Sequence, residues 1–302
     1  MRALVSHSYG PVDQIEVVEL PTPVAGPGQL LVRVEAAALN PLDGKLVTGV
    51  MREMMPVEHP FTLGFDVAGT VEALGDGVTG FAVGNAVVAY ASAGIAEYTV
   101  VDAGAAVVQR PAGVDAVRAA ALPVAGLTAA ELVEAADLKA GDRVLVVGAT
   151  GGVGVFAVQL AAQLGAEVWA TARPEEAEFV LGLGARHAVD YTSGDLAAQV
   201  KDVDVLIDVV NFGAGIPGAE VRDGGRVLTP VGGWDESTFD RGVTAAYVGN
   251  SGRVELLRDL VEAVETGKVT VPVSGTAPFA DSAQAASDFF TSHKRGKVVI
   301  TF

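Results

Sequence analysis

The chain has 302 residues, half of them hydrophobic, with a formal net charge of −17 and no cysteine. That charge argues against nucleic-acid and anionic-membrane partners, and the lack of cysteine excludes a disulfide, a thiolate nucleophile and a cysteine-ligated metal. Length and apolar content suit a two-domain soluble enzyme, and the opening Met1-Arg2-Ala3-Leu4-Val5-Ser6-His7 lacks the apolar run of an export signal, so a cytoplasmic protein is expected.

In chain order, the first 115 residues carry short β-like runs between Gly and Pro, among them Gln29–Glu35, Asp66–Glu72 and Ala86–Tyr90, a pattern that predicts a β-rich, barrel-like domain. From Val117 to about Gly249, apolar strands alternate with amphipathic helices, which predicts a doubly wound sheet with later strands at Val203–Val209 and Gly225–Val231. Helices near Val254–Thr266 and Ser282–Ser292 and a final strand Lys297–Thr301 complete the reading.

The centre of the chain holds its most informative stretch. Val144–Val147 reads as a buried strand, Gly148–Gly154 as a glycine turn, and Val155–Leu164 as a helix, the local architecture that holds a dinucleotide pyrophosphate on backbone N–H groups at a helix N-terminus. The turn assigns Ala149, Thr150, Gly151, Gly152, Val153 and Gly154 to the cofactor. Gly151 admits the pyrophosphate, Gly154 lets helix pack on strand, and Gly165 suits a helix end. Glu167–Ala172 completes a β-α-β unit. Where an NAD enzyme places an acid for the ribose, this chain reads Thr171-Ala172-Arg173; an arginine beside small residues suits a 2′-phosphate, so NADPH is expected over NADH. The other reading makes Arg173 the start of a solvated helix. Tyr191, after a third strand, is a candidate adenine-side neighbour or a packed surface aromatic.

Taken in order, Ala37-Ala38-Leu39-Asn40-Pro41-Leu42-Asp43-Gly44-Lys45, Leu63-Gly64-Phe65-Asp66-Val67-Ala68-Gly69, Leu122-Pro123-Val124-Ala125-Gly126-Leu127-Thr128-Ala129, the glycine turn and Arg295-Gly296-Lys297-Val298-Val299 resemble the medium-chain dehydrogenase/reductase superfamily. Within it, the likeness is to the zinc-independent quinone oxidoreductase (zeta-crystallin-like) and enone reductase branch. The resemblance implies an α/β protein with a GroES-like β-barrel catalytic domain over 1–115 and 268–302. It also implies a Rossmann doubly wound parallel-sheet nucleotide-binding domain over 116–267.

Zinc-dependent relatives place Cys where Asn40 stands and His-Glu where Phe65-Asp66 stands, and residues 118–131 offer neither Cys nor His. A catalytic zinc needs about three protein ligands, and His7, His59, His187 and His293 are scattered, so no metal site is expected. Without a Lewis acid, reduction of a quinone or α,β-unsaturated carbonyl becomes the expected chemistry, its developing oxyanion needing only hydrogen-bond donors. The resemblance places Asn40, Asp43 and Lys45 at that catalytic site, with Asp43 positioning Lys45 or the loop rather than acting as an acid. Lys45 reads either as an electrostatic and proton-donating group or as a solvated lysine. By the same resemblance Thr128, the Val231-Gly232 turn and Lys297 join the cofactor site. A homodimer paired through Thr244–Val248 is expected. An enoyl-thioester reductase and a non-catalytic NADPH-binding protein stand as alternatives.

Overall fold

A computed structural model of the chain describes residues 1–194, 196–210, 221–231 and 241–302. It divides into two compact units, Met1–Val124 with Gly252–Phe302, and Ala125–Ser251.

The first unit is built on β1 (Arg2–Ser6), β2 (Glu16–Glu19), β3 (Gln29–Ala38), helix α1 (Pro41–Val47), β4 (Phe61–Thr62), β5 (Asp66–Leu74), β6 (Ala86–Tyr90), β7 (Tyr98–Asp102), β8 (Val107–Gln109) and α2 (Ala116–Ala120). The helix α3 (Pro123–Ala135) begins at its end. Strand β3 organises the main sheet. It pairs antiparallel with β5 over Leu30–Ala38, with β7 over Gln29–Arg33, and over Ala36–Ala38 with the last strand of the chain. Alternating side chains of β3 and β5 fill the core with Leu30, Val32, Val34, Val67 and Val71, joined by Leu4, Leu39, Leu63, Val87 and Ile95. Period-2 burial of β-branched residues is what makes these segments strands rather than helices.

The second unit holds β9 (Arg143–Val147), α4 (Gly154–Gln163), β10 (Glu167–Ala172), α5 (Ala177–Gly182), β11 (His187–Asp190), α6 (Leu196–Gln199), β12 (Val203–Asp208), β13 (Val221–Thr229) and β14 (Thr244–Tyr247). Its six strands are all parallel, in the order β11-β10-β9-β12-β13-β14. This is the doubly wound order that reverses direction between its first and fourth strands, here β9 and β12, and such sheets bind ligands at that switch point. Val144, Leu145 and Val146 are all fully buried, because a parallel sheet is covered on both faces.

The chain then returns to the first unit with α7 (Val254–Glu265), β15 (Val273–Pro278), α8 (Ser282–Thr291) and β16 (Lys297–Thr301). The sequence draws its boundaries at 115 and 267, whereas the compact units change at 124 and 251. Two helices account for the difference: α2 packs on β3 and β5, and α7 packs on β8, so both contribute to the core of the β-rich unit. Among the described residues, no helix is long and apolar enough to cross a membrane.

Candidate functional site

In the first unit, a set of buried polar groups gathers where β3 runs into α1. Asn40 caps α1, and Pro41 takes the first helical position, where a missing N–H costs nothing. Asp43, two residues later, reaches back: its Oδ2 accepts the Asn40 N–H at 2.9 Å, while its Oδ1 accepts the Gly64 N–H at 2.8 Å. The carboxylate thus holds the helix start against the segment leading into β5.

The Asn40 side chain turns away from its own helix. Its Nδ2 donates to Asp66 Oδ2 at 2.8 Å and to the Ala38 carbonyl at 3.3 Å, and its Oδ1 accepts from Lys297 Nζ at 2.5 Å. Lys297, the first residue of β16, also donates to Asp66 Oδ2 at 2.9 Å and to the Leu39 carbonyl at 3.2 Å. Asp66 in turn accepts the Val124 N–H in the first turn of α3 through Oδ1, at 2.5 Å.

Asn40, Asp43, Asp66 and Lys297 are each 3% exposed or less. One ammonium faces two carboxylates in this dry site, and burial, with the Asp66 charge adding, pushes the Asp43 carboxyl up to about 7; its two N–H bonds and Lys297 oppose the rise. Tyr90, opposite Asp66 in the β5–β6 pair, lies over Phe65 with ring centroids 6.0 Å apart. Burial and then the two carboxylates push its phenol up, so it remains a neutral O–H donor. Lys45, further along α1, is half-buried, and burial lowers its ammonium pKa.

In the second unit, β9 gives way to the glycine turn at the switch point. Gly148 has φ +84°, and a Cβ there would meet Val210 Cγ1 at 2.5 Å. A Cβ at Gly154 would stand 2.1 Å from the Gly148 carbonyl, so α4 starts as close to the turn as backbone allows. At Gly151 the protein itself leaves room: a Cβ meets only the Gly148 carbonyl, at 3.4 Å.

Thr171, 2% exposed, accepts the Gly148 N–H at 2.9 Å and donates to the Val146 carbonyl, so its hydroxyl fixes the turn from β10. Ala172 pairs with Asp190 at the ends of β10 and β11, which sets Arg173 beside Tyr191. The Arg173 Nε–H donates to the Tyr191 hydroxyl at 3.1 Å, and Tyr191 is 40% exposed. A glycine turn at a helix start is an arrangement that can hold a dinucleotide pyrophosphate on backbone N–H groups.

The structure therefore brings Asn40, Asp43 and Lys297 into one cluster, with Lys45 on the same helix. Ala149, Thr150, Gly151, Gly152, Val153 and Gly154 lie in the turn, with Thr171, Ala172, Arg173 and Tyr191 on the neighbouring strand ends. Lys297 is bonded to Asn40 and Asp66 within the first unit. Thr128 is buried within α3, Val231 follows β13 with its N–H on Thr229 Oγ1 at 3.1 Å, and Gly232 lies outside the described residues.

Sequence reasoning passed over Asp66 and Tyr90 as site residues. The available signal was an acid opening the otherwise apolar Asp66-Val67-Ala68 run, since a charge in a buried strand needs a partner. Among the described residues, no three His, Asp or Glu side chains group closely enough to hold a metal ion.

Comparison with known proteins matches residues 26–133 to the alcohol dehydrogenase GroES-like domain and residues 183–300 to the family described as zinc-binding dehydrogenase. The chain is 33% identical to the chloroplast envelope quinone oxidoreductase homolog of Arabidopsis thaliana, over 99% of this chain and 98% of that protein. It is also 33% identical to the chloroplastic NADPH-dependent alkenal/one oxidoreductase of the same plant, over 99% and 79%. The solved quinone oxidoreductase from Coxiella burnetii superposes with a TM-score of 0.90 at 28% identity, covering 100% of this chain and 99% of that one. Full-length likeness of this kind, on a GroES-like sheet and a Rossmann sheet carrying the glycine turn, makes the chain a member of the medium-chain dehydrogenase/reductase superfamily, an NAD(P)H-dependent oxidoreductase related to the quinone oxidoreductases.

Proposed function

We propose that this protein is an NADPH-dependent reductase of quinones or α,β-unsaturated carbonyls that works without zinc. The observation that carries the reading is the closed Asn40–Asp66–Lys297 network. Where zinc-dependent relatives keep a thiolate and an imidazole, this chain offers an amide, a phenyl ring and a carboxylate already neutralised by an ammonium, a donor set unsuited to zinc. Charge developing on an acceptor oxygen is then met by hydrogen-bond donors of the chain.

NADPH, when bound, supplies the hydride. Arg173 and Tyr191 would hold the 2′-phosphate and the adenine end, the turn from Ala149 to Gly154 would take the pyrophosphate on backbone N–H groups, and Thr128 and Val231 would flank the nicotinamide. Thr171 keeps that turn in shape. Lys45 faces the acceptor oxygen, stabilises the enolate or hydroquinone anion, and delivers a proton from an ammonium whose acidity burial has raised. Asn40 and Asp43 fix the start of the helix that carries it. A cytoplasmic homodimer completes the reading, supported by β14 as an outer edge of the six-stranded sheet.

The test is oxidation of NADPH and of NADH by the purified, metal-stripped protein, offered 1,4-benzoquinone and then 2-cyclohexenone. Turnover that prefers NADPH supports the proposal, and the better acceptor names the branch. Tight NADPH binding without turnover of either acceptor overturns it, and light scattering decides the dimer.

A further inference from the structure

Lys297 is the feature that the reaction as proposed leaves without a task. Burying an ammonium is costly unless every proton finds an acceptor. Here three N–H groups meet three oxygens, Leu39 O, Asn40 Oδ1 and Asp66 Oδ2, at 2.5 to 3.2 Å, and the residue is 2% exposed. The donor inventory of a lysine is then complete, so contact with a cofactor phosphate would require breaking one of the three bonds.

The consequence falls on Asn40. An amide between an ammonium and a carboxylate has a single favourable orientation, with Oδ1 toward Lys297 and Nδ2 toward Asp66. Asn40 is the cap of α1, and Leu39, whose carbonyl Lys297 also takes, precedes it. On another side α1 lies against Phe290 so closely that a Cβ at Gly44 would come within 2.8 Å of the ring. The helix bearing Lys45 is thus held by an aromatic contact at Gly44 and by a buried cation at its start.

We infer that Lys297 is a positioning residue, which through Asn40 and Asp66 sets the placement of α1 and hence of Lys45, and which makes no contact with the cofactor. The inference rests on the proposed role of Lys45.

Two variants test it. Lys297→Met removes the charge, and Lys297→Arg keeps the charge while changing reach and shape. For each, the NADPH dissociation constant is measured by fluorescence, kcat by benzoquinone and cyclohexenone reduction at saturating NADPH, and α1 order by amide hydrogen exchange over residues 40–47. Expected for Lys297→Arg are a thermal midpoint near that of the parent, an NADPH constant within about twofold, a kcat about tenfold lower, and exchange in α1 about tenfold faster. Lys297→Met loses about 10- to 100-fold in kcat with the same unchanged cofactor constant. An NADPH constant raised tenfold with kcat intact would make Lys297 a cofactor ligand, and parent-like kcat and exchange in Lys297→Arg would reduce it to a stability element; either result overturns the inference. If Lys297→Met does not fold, Lys297→Arg decides alone. If the parent protein turns over neither acceptor, the functional reading fails, while the cofactor constant and α1 exchange still decide the placement role.

Discussion

The two polar regions of this molecule are built on opposite principles. Around the start of α1, Asn40, Asp43, Asp66 and Lys297 are buried and bonded to one another. At the ends of β10 and β11, Arg173 and Tyr191 share one hydrogen bond and stand toward solvent. A group that recognises a charged ligand has to be reachable and hydrated beforehand, whereas a group that sets geometry works best dry and saturated. Substitutions in the exposed pair should therefore move binding constants, and substitutions in the buried set should move turnover and stability.

The harshest way to break that contrast is Gly154→Ala. Its Cβ would stand 2.1 Å from the Gly148 carbonyl, so the turn must open, at a cost of about 3 kcal/mol. NADPH binding, followed by fluorescence, should weaken by about 100-fold or more, or the second unit should fail to fold in a thermal scan. Arg173→Ala comes next: KM for NADPH should rise about 10- to 100-fold, the worth of a charge-assisted bond, while KM for NADH changes less than about threefold. Equal effects on both cofactors would remove Arg173 from phosphate recognition.

Lys45→Met should lower kcat with cyclohexenone about tenfold and leave NADPH affinity alone. Because burial lowers the pKa of Lys45, the parent's kcat should decline as pH rises toward a value below that of a free lysine, and the variant should lose that limb. A pH-dependent effect sharpens the buried side. The folded Asp43 carboxyl sits at about 7, above its ordinary value, so folding takes up a proton between about pH 4 and 7 and the stability it confers is lost as pH rises through that window. Asp43→Asn lacks this titration. Its destabilisation, measured by urea unfolding, should therefore be greater at pH 5 than at pH 8, by about 2 kcal/mol.

How much of this was legible depended on sequence distance. Strands β10 and β16 run over Glu167–Ala172 and Lys297–Thr301, where their apolar runs place them. Strand β13 instead starts at Val221, ahead of Gly224 and Gly225, because pairing of Val221 with Val203 extends it through two glycines that strand propensity disfavours. Helices α2 and α7 read as parts of the nucleotide-binding half, since amphipathic periodicity says that a face is buried but not against which sheet. Asn40, Asp43 and Lys45 are neighbours in one motif and could be read together. The link of Lys297 to Asp66 spans 231 residues, and no local pattern carries it.

The order of the chain also fixes an order of assembly. Strand β16 fills the edge of β3 beside Ala36–Ala38, and it brings Lys297 with it, after the whole of Ala125–Ser251 has been made. On the ribosome, the parallel sheet emerges complete while Asn40 and Asp66 still wait for their cation. A chain released before Lys297 would carry a finished nucleotide half beside a β-rich half with an unneutralised carboxylate and an open strand edge, the kind of species that chaperones and proteases select.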